Sequence, residues 1–253
     1  MTGMSGHSKW SSIKHKKAAV DAKRGAQFAK LARAITVAAR DGGGDLEGNP
    51  TLATAVQKAR DVSMPKDNIQ RAIDRGTGAG ADADAIEHVL FEGYGPGGAA
   101  ILVEALTDNR NRTTADVRLA FNKHNGSLGE PGSVAWIFEK RGVLVADGDR
   151  YGEDDLIVAI DAGAEDVRED GDQLRVVSDP SNVSAVRDSL EAAGIEIKST
   201  ELAVEPKSTV EVTGQDAKTL LGLLDALEEH DDVSEVHSNF DIPEDVLEKL
   251  AAA

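Results

Sequence analysis

The hydrophobic period of this chain changes once, across the glycine-rich stretch Gly76-Thr77-Gly78-Ala79-Gly80. Before it, Phe28, Leu31, Ala32 and Ile35 fall at i, i+3, i+4 and i+7, which predicts one apolar stripe on a helix over about 18–40. Gly42-Gly43-Gly44 then ends that helix. Asn49-Pro50 offers an N-cap followed by proline at the first helical position, and Leu52, Val56 and Ala59 form the next stripe. Ser63-Met64-Pro65 opens a third helix with Ile69, Ala72 and Ile73 facing inward. Residues 1–80 therefore predict a small helical bundle, with 76–80 as a flexible linker by composition.

Beyond the glycines, short β-rich runs alternate with helical ones. Strands are expected at 88–92 and 99–106, joined by the turn GYGPGG, then a helix at 112–124 carrying Val117, Leu119, Ala120 and Phe121. Further strands are expected at 134–138, 143–145, 166–168, 173–177, 195–204, 209–212 and 233–237, with helices at 156–162, 183–193 and 216–229. Strand–helix–strand recurs with tight connections. The fold class is α+β: a helical bundle followed by two α+β domains of the split β-α-β, ferredoxin-like kind. A chain of 253 residues is long enough for such an arrangement to fold without staples.

Charge is distributed as unevenly as hydrophobicity. The first forty residues hold nine basic side chains, and Asp21 is their only acid, while the whole chain carries −17. A basic arm on an acidic body points to a polyanionic partner at one end and repulsion from it elsewhere. Residues 146–172 hold eleven acids against two basic groups, and 211–249 hold twelve against two lysines. These read as solvated faces, since they lack the spacing of a calcium loop.

Several chemistries are disfavoured. There is no cysteine, hence no disulfide, thiolate nucleophile or Cys-based zinc site. Gly93, Gly95 and Gly98 satisfy G-x-G-x-x-G, but Pro96 lies inside the loop and Ala100-Ile101-Leu102-Val103 follows, so a hairpin is expected rather than a dinucleotide site. No phosphate-binding loop, nucleophile elbow or zinc-protease motif occurs. A non-enzymatic protein is expected, with no metal and no cofactor. Apolar runs fall short of a membrane span and no signal core stands at the N-terminus, so a cytoplasmic monomer without membrane contact is expected.

Two long stretches resemble a known family. GHSKW at Gly6–Trp10, continuing through SSIKHKKAAVDAKRGAQFAKLARAI, is similar to the N-terminal signature of the YebC family. EGYGPGGAAILVEALTDNRNRTTADVRLAF and GSLGEPGSVAWIFEKRGV resemble the same family further on, with SMPKDNIQRAI between them. The family pattern would begin at Met4, and Pro131 lies in a turn where the family varies. The resemblance implies three domains, the third inserted into the second: 1–80, then 81–134 with 206–253, and 135–205 between them. On that reading, 206–253 completes the sheet begun near residue 86. It also implies either a DNA-binding transcriptional regulator or a translation factor acting on ribosomes, including those stalled on proline-rich sequence, with mitochondrial relatives that activate translation.

Two basic features are the candidate nucleic-acid contacts. The arm offers Lys9, Lys14, Lys16, Lys17, Lys23, Arg24 and Lys30, with Trp10 and His15 among them. Lysines dominate it and cover more than one helical face, which suits a segment surrounded by phosphate, as in ribosomal RNA, better than one lying along a duplex DNA groove. Trp10 is suited to stack on a base or to anchor the arm. The second feature is Arg110-Asn111-Arg112 at a helix start, where the arginines either reach RNA or pair with Asp108 and Asp116 while Asn111 or Thr113 caps the helix. Lys66, Arg71 and Arg75 add a lesser basic strip.

Overall fold

The computed structural model describes residues 22–79 and 86–243, with backbone only for 22–24 and 79. It divides into two compact units, residues 136–209 and the chain on either side of them.

The flanking unit begins with three helices, α1 (Ala22–Gly42), α2 (Pro50–Asp61) and α3 (Lys66–Asp74). Gly43, at φ +84°, turns the chain out of α1. Asn49 is buried; its Oδ1 accepts from Leu52 N (3.0 Å), and its Nδ2 donates to Ala38 O and Gly43 O (both 2.8 Å). One side chain thus caps α2 and ties it to the end of α1. Ile35, Leu52, Val56, Ala59, Ile69 and Ala72 form the core of this bundle. Phe28, Leu31 and Ala32, expected on the same stripe, lie at its edge and are only partly buried.

The expected linker is corrected at its near end. Arg75–Ala79 forms one π-helical turn running on from α3. A Cβ on Gly76 would stand 2.3 Å from Thr36 O and 2.7 Å from Ala39 Cβ, so glycine there permits close packing on α1. Composition suggests a linker because glycine serves both purposes.

The sheet of this unit has order β3-β1-β2-β9, all neighbours antiparallel. Its strands are β1 (Glu87–Tyr94), β2 (Ala100–Thr107), β3 (Ser127–Leu128) and, after the inserted unit, β9 (Val233–Ser238). β1 and β2 form a hairpin whose turn places Gly97 and Gly98 at positive φ and closes with Gly95 N to Ala99 O at 2.8 Å. That hairpin sits at the sheet's centre. Only β2, α4 (Arg110–Lys123) and β3 then make a split β-α-β crossover. The ferredoxin-like order expected for this domain is corrected to a hairpin-centred one, because a tight glycine turn joins neighbours where a crossover helix would be needed. β3 is absent from the sequence reading, being two residues long. Helices α4 and α7 (Gly214–Glu228) contribute Val117, Phe121, Leu220, Leu223, Leu224 and Leu227 to one core with Val89, Phe91, Ile101, Val103 and Val236.

Residues 136–209 hold β4 (Phe138–Asp147), α5 (Val158–Asp161), β5 (Ala164–Asp170), β6 (Gln173–Ser178), α6 (Val183–Ala192) and β7 (Ile197–Pro206). Their order, β5-β6-β4-β7, is the double split β-α-β of a ferredoxin-like sheet. The strand expected at 134–138 is corrected to a 3-10 turn, Ala135–Ile137, and the one expected at 143–145 is the middle of a longer strand, β4. Glu139–Gly142 pairs with Leu202–Glu205, so the ladder runs through a polar stretch that side-chain pattern alone reads as a break. The helix expected at 156–162 is a 3-10 turn, Glu153–Leu156, followed by the single turn α5. Two residues on each side of a short parallel pair, β8 (Val210–Glu211) and β10 (Phe240–Asp241), replace the strand expected at 209–212. Among the described residues no helix is long and apolar enough to cross a membrane.

Candidate nucleic-acid interface

Lys30, Arg33 and Arg40 on α1 each bind to protein. Lys30 Nζ donates to Glu228 O at the end of α7, where unsatisfied carbonyls concentrate negative potential. Arg33 Nη1 donates to Asp231 O at 2.6 Å and stands 3.0 Å from Asp232 Oδ1. Arg40 reaches Ile86 O at 2.7 Å and Asp41 at 2.8 Å.

Asp232 is the centre of this arrangement. Its side chain is 3% exposed, and its Oδ2 accepts from Arg112 Nη2 (2.8 Å), Thr113 Oγ1 (2.7 Å) and Thr107 Oγ1 (3.3 Å). Burial opposes its ionisation. The Arg112 and Thr113 hydrogen bonds and the charges of Arg112 and Arg33 outweigh that and hold it below the ordinary carboxylate range. This carboxylate therefore joins α1, the start of α4 and the α7–β9 turn.

The Arg110-Asn111-Arg112 segment consequently splits in two. Arg112 is engaged by Asp232 and by Asp108 at 3.1 Å. The cap is Asn109, whose Oδ1 accepts from Arg112 N at 3.1 Å, rather than Asn111 or Thr113. Asn109 itself is fixed by Thr107 Oγ1 at 2.9 Å. Arg110 and Asn111 are exposed, and Arg110 makes no ion pair among the described residues.

Of the arm, Lys9, Trp10, Lys14, His15, Lys16 and Lys17 lie outside the described residues, and Lys23 and Arg24 are placed only as backbone in the first turn of α1. Lys66 is exposed at the start of α3. Arg71 and Arg75 follow on that helix and its π turn, beside a cavity of about 250 Å³ between α1 and α3. Phe28, Ala29, Ala32, Met64 and Ala72 supply its apolar wall, and Asn68 with the two arginines its polar one. Arg71 is steadied by Asn68 Oδ1 (2.7 Å) and Asp67 O (3.1 Å). Lys66, Arg71 and Arg75 make no ion pair among the described residues. Cations beside an apolar slot are chemically suited to a phosphate with its base.

The glycine turn faces a second anchored loop. Glu92, a 6%-exposed residue, accepts from Gly132 N (2.7 Å), Val134 N (2.8 Å) and Ala135 N (2.7 Å). Burial again works against the charge, and the three amides overcome it, lowering its pKa. Tyr94 Oη donates to Ser133 O at 3.0 Å, so this ring is tethered to the same loop while remaining partly exposed.

Residues 8–79 match the family model described as the TACO1/YebC protein N-terminal domain, and 86–240 match the TACO1/YebC second and third domain. The chain belongs to the TACO1/YebC family. A probable transcriptional regulatory protein of Rubrobacter xylanophilus is 60% identical over 249 residues, 98% of this chain and 100% of that one. Another with that description, from Desulfotalea psychrophila, is 54% identical, with coverage of 98% and 100%. A crystal structure of a conserved hypothetical protein from Aquifex aeolicus, Aq1575, superposes with TM-score 0.76 at 44% identity, over 92% of this chain and 96% of that one.

Within this TACO1/YebC chain, sequence reasoning missed Asp232, Glu92 and the α1–α3 slot. Asp232 sits in an acidic run that looks solvated, and nothing local distinguishes it from Asp231. Glu92 carried a signal: a lone acid among apolar strand residues, followed by the glycine-rich 129–133 with amides to satisfy. For the slot, the signal was Ala29 and Ala32 beside Phe28, small residues that leave room on a helix face.

Proposed function

We infer that this protein is a non-enzymatic, nucleic-acid-binding regulator of gene expression, acting as an RNA- and ribosome-associated translation factor. One observation carries the reading: Lys66, Arg71, Arg75 and Arg110 lack carboxylate partners among the described residues, in a molecule with a large acid excess. They extend the lysine-rich arm, where nine basic residues fall within forty. In this reading the arm and α3 dock on ribosomal RNA, and the acidic faces keep the rest off the phosphate backbone. The glycine turn and Arg110 then stand free for a functional site, in keeping with relief of stalling or translational activation.

The test is sedimentation of the tagged protein through a sucrose gradient of DNase-treated lysate, beside a form lacking residues 5–24. Arm-dependent co-migration with ribosomes is expected. Replacing Lys14, Lys16 and Lys17 with alanine should flatten the salt dependence of RNA binding by about two to three units, from a slope of about −4 to −5 for roughly six phosphate contacts. An unchanged slope rejects the arm as the binding element. The names of the relatives favour a second reading, DNA-binding transcriptional regulation. Protein left at the top of the gradient, with duplex DNA outcompeting structured RNA, would select it.

A further inference from the structure

We propose that the outer face of the hairpin-centred sheet carries a binding site for a divalent metal of the zinc class, with Glu104, Glu235 and His237 as ligands and His88 beside them. The register brings these residues together. Glu104 on β2 is paired with Leu90 on β1 and with Glu235 on β9, while His237 lies two residues along from Glu235 and His88 two from Leu90. Alternation puts all four on one face, opposite Val89, Phe91, Val103 and Val236, which fill the core.

Distances between the side chains match what a small tetrahedral ion requires. Zinc holds imidazole nitrogen and carboxylate oxygen at ~2.0–2.2 Å, which places ligand atoms about 3.3–3.6 Å from one another. Glu104 Oε1 stands 3.3 Å from His237 Nε2, and Glu235 Oε2 stands 3.7 Å from the same nitrogen. One ligand atom from each of the three residues lies within 4.8 Å of the others. The second oxygen of Glu104 is 3.1 Å from His88 Nε2. Both histidines thus turn their Nε2 toward Glu104, which stays ionised beside them.

Access and composition suit the same ligand. His237 and Glu104 are mostly buried, at 13% and 25% exposure, while Glu235 and His88 are about half exposed, at 47% and 49%. An ion could therefore enter from solvent without opening the fold. Imidazole with carboxylate selects zinc over magnesium or calcium, which take oxygen shells. Lys58 competes for the site, since its Nζ lies 2.8 Å from Glu235 Oε1, but Oε2 is the atom nearer His237. Protons are the other competitor, since an imidazole nitrogen binds metal only when unprotonated. The absence of a calcium-loop spacing did not bear on this cluster, whose members come from three strands separated by up to 149 positions of sequence, from 88 to 237.

Isothermal titration of the chelator-treated full chain with Zn²⁺ tests the site. One saturating equivalent is expected, and no saturable binding of Mg²⁺. Glu104→Gln and His237→Gln should each weaken Zn²⁺ by more than about tenfold, while His124→Gln, outside the cluster, leaves it unchanged. Far-UV circular dichroism checks that each variant folds, and His88→Gln, at the exposed edge, supplies a gentler variant that should weaken binding too. Zn²⁺ should raise the melting temperature of the unaltered chain and not of Glu104→Gln. Absence of saturable Zn²⁺ binding, or equal affinity in the folded Glu104→Gln and His237→Gln variants, overturns the proposal.

Discussion

Residues 22–79 set ten basic side chains against six acids, whereas residues 136–209 set eight against eighteen. Both regions hold cations with and without an ion pair among the described residues: Arg33, Arg40 and Lys58 are paired in the first, and Lys140, Arg187 and Lys207 are unpaired in the second. In the inserted unit Arg141, Arg150, Arg168, Arg175 and Lys198 all stand in ion pairs, several of them shared. In the helical region Lys66, Arg71 and Arg75 have no carboxylate partner among the described residues. The flanking unit and the inserted unit each have a carboxylate held between two arginines. Asp232 joins Arg33 and Arg112 with its side chain 3% exposed, and Glu205 joins Arg168 and Arg175 with 22% exposed. Position in sequence decides little here; burial decides what each clamp is worth.

The largest predicted effect follows from that difference. Asp232→Ala leaves the buried Thr107 and Thr113 hydroxyls, with the more exposed Arg33 and Arg112, without their shared carboxylate and should cost about 3 kcal/mol in urea unfolding. Glu205→Ala, whose arginines keep Asp166 and Asp170 as partners, should cost about 1 kcal/mol. Equal losses would break the comparison. Next in size is Glu92→Gln, which removes a charged acceptor from three amides, that of buried Val134 among them, and should cost about 1.5–3 kcal/mol. Its measurement belongs with amide exchange at Gly132, Val134 and Ala135, where protection should fall while the inserted unit stays as it was.

Acid sharpens the contrast further. Asp232 and Glu92 have folded pKa values below their ordinary values of 3.8 and 4.5. The unfolded chain therefore binds protons first as pH falls, so their contribution is full above about those values and is lost through the interval beneath them. The flanking unit should lose stability in that window, with Asp232→Asn reducing the pH dependence. The smallest effect is expected at Lys58→Ala, whose surface ion pair with Glu235 is worth less than about 1 kcal/mol by the same unfolding measurement.

Much of the architecture was legible. The Asn49-Pro50 cap, the stripe of α2, the hairpin at GYGPGG and the return of the chain to complete the sheet are local or family-carried signals, and each sits where the sequence places it. Elements that depend on tertiary contacts were not. β3 exists because two residues after α4 meet β1, and Gly76 packs because Thr36 lies above it. The candidate interface was legible as charge but not as partners. Lys30 and Arg112 look like any other cations until the fold brings Glu228 and Asp232 to them. Lys66 and Arg110, expected on the same grounds, remain exposed.

The central claim is that cations without carboxylate partners in the helical region, and not those of the inserted unit, hold nucleic acid. The most direct measurement compares the salt dependence of binding to structured RNA for the unaltered chain, Lys66→Ala/Arg71→Ala/Arg75→Ala, and Lys140→Ala/Arg187→Ala/Lys207→Ala. The first triple variant should flatten the slope by about two to three units, and the second should leave it unchanged. Equal flattening by both, or flattening by the second alone, would contradict the account.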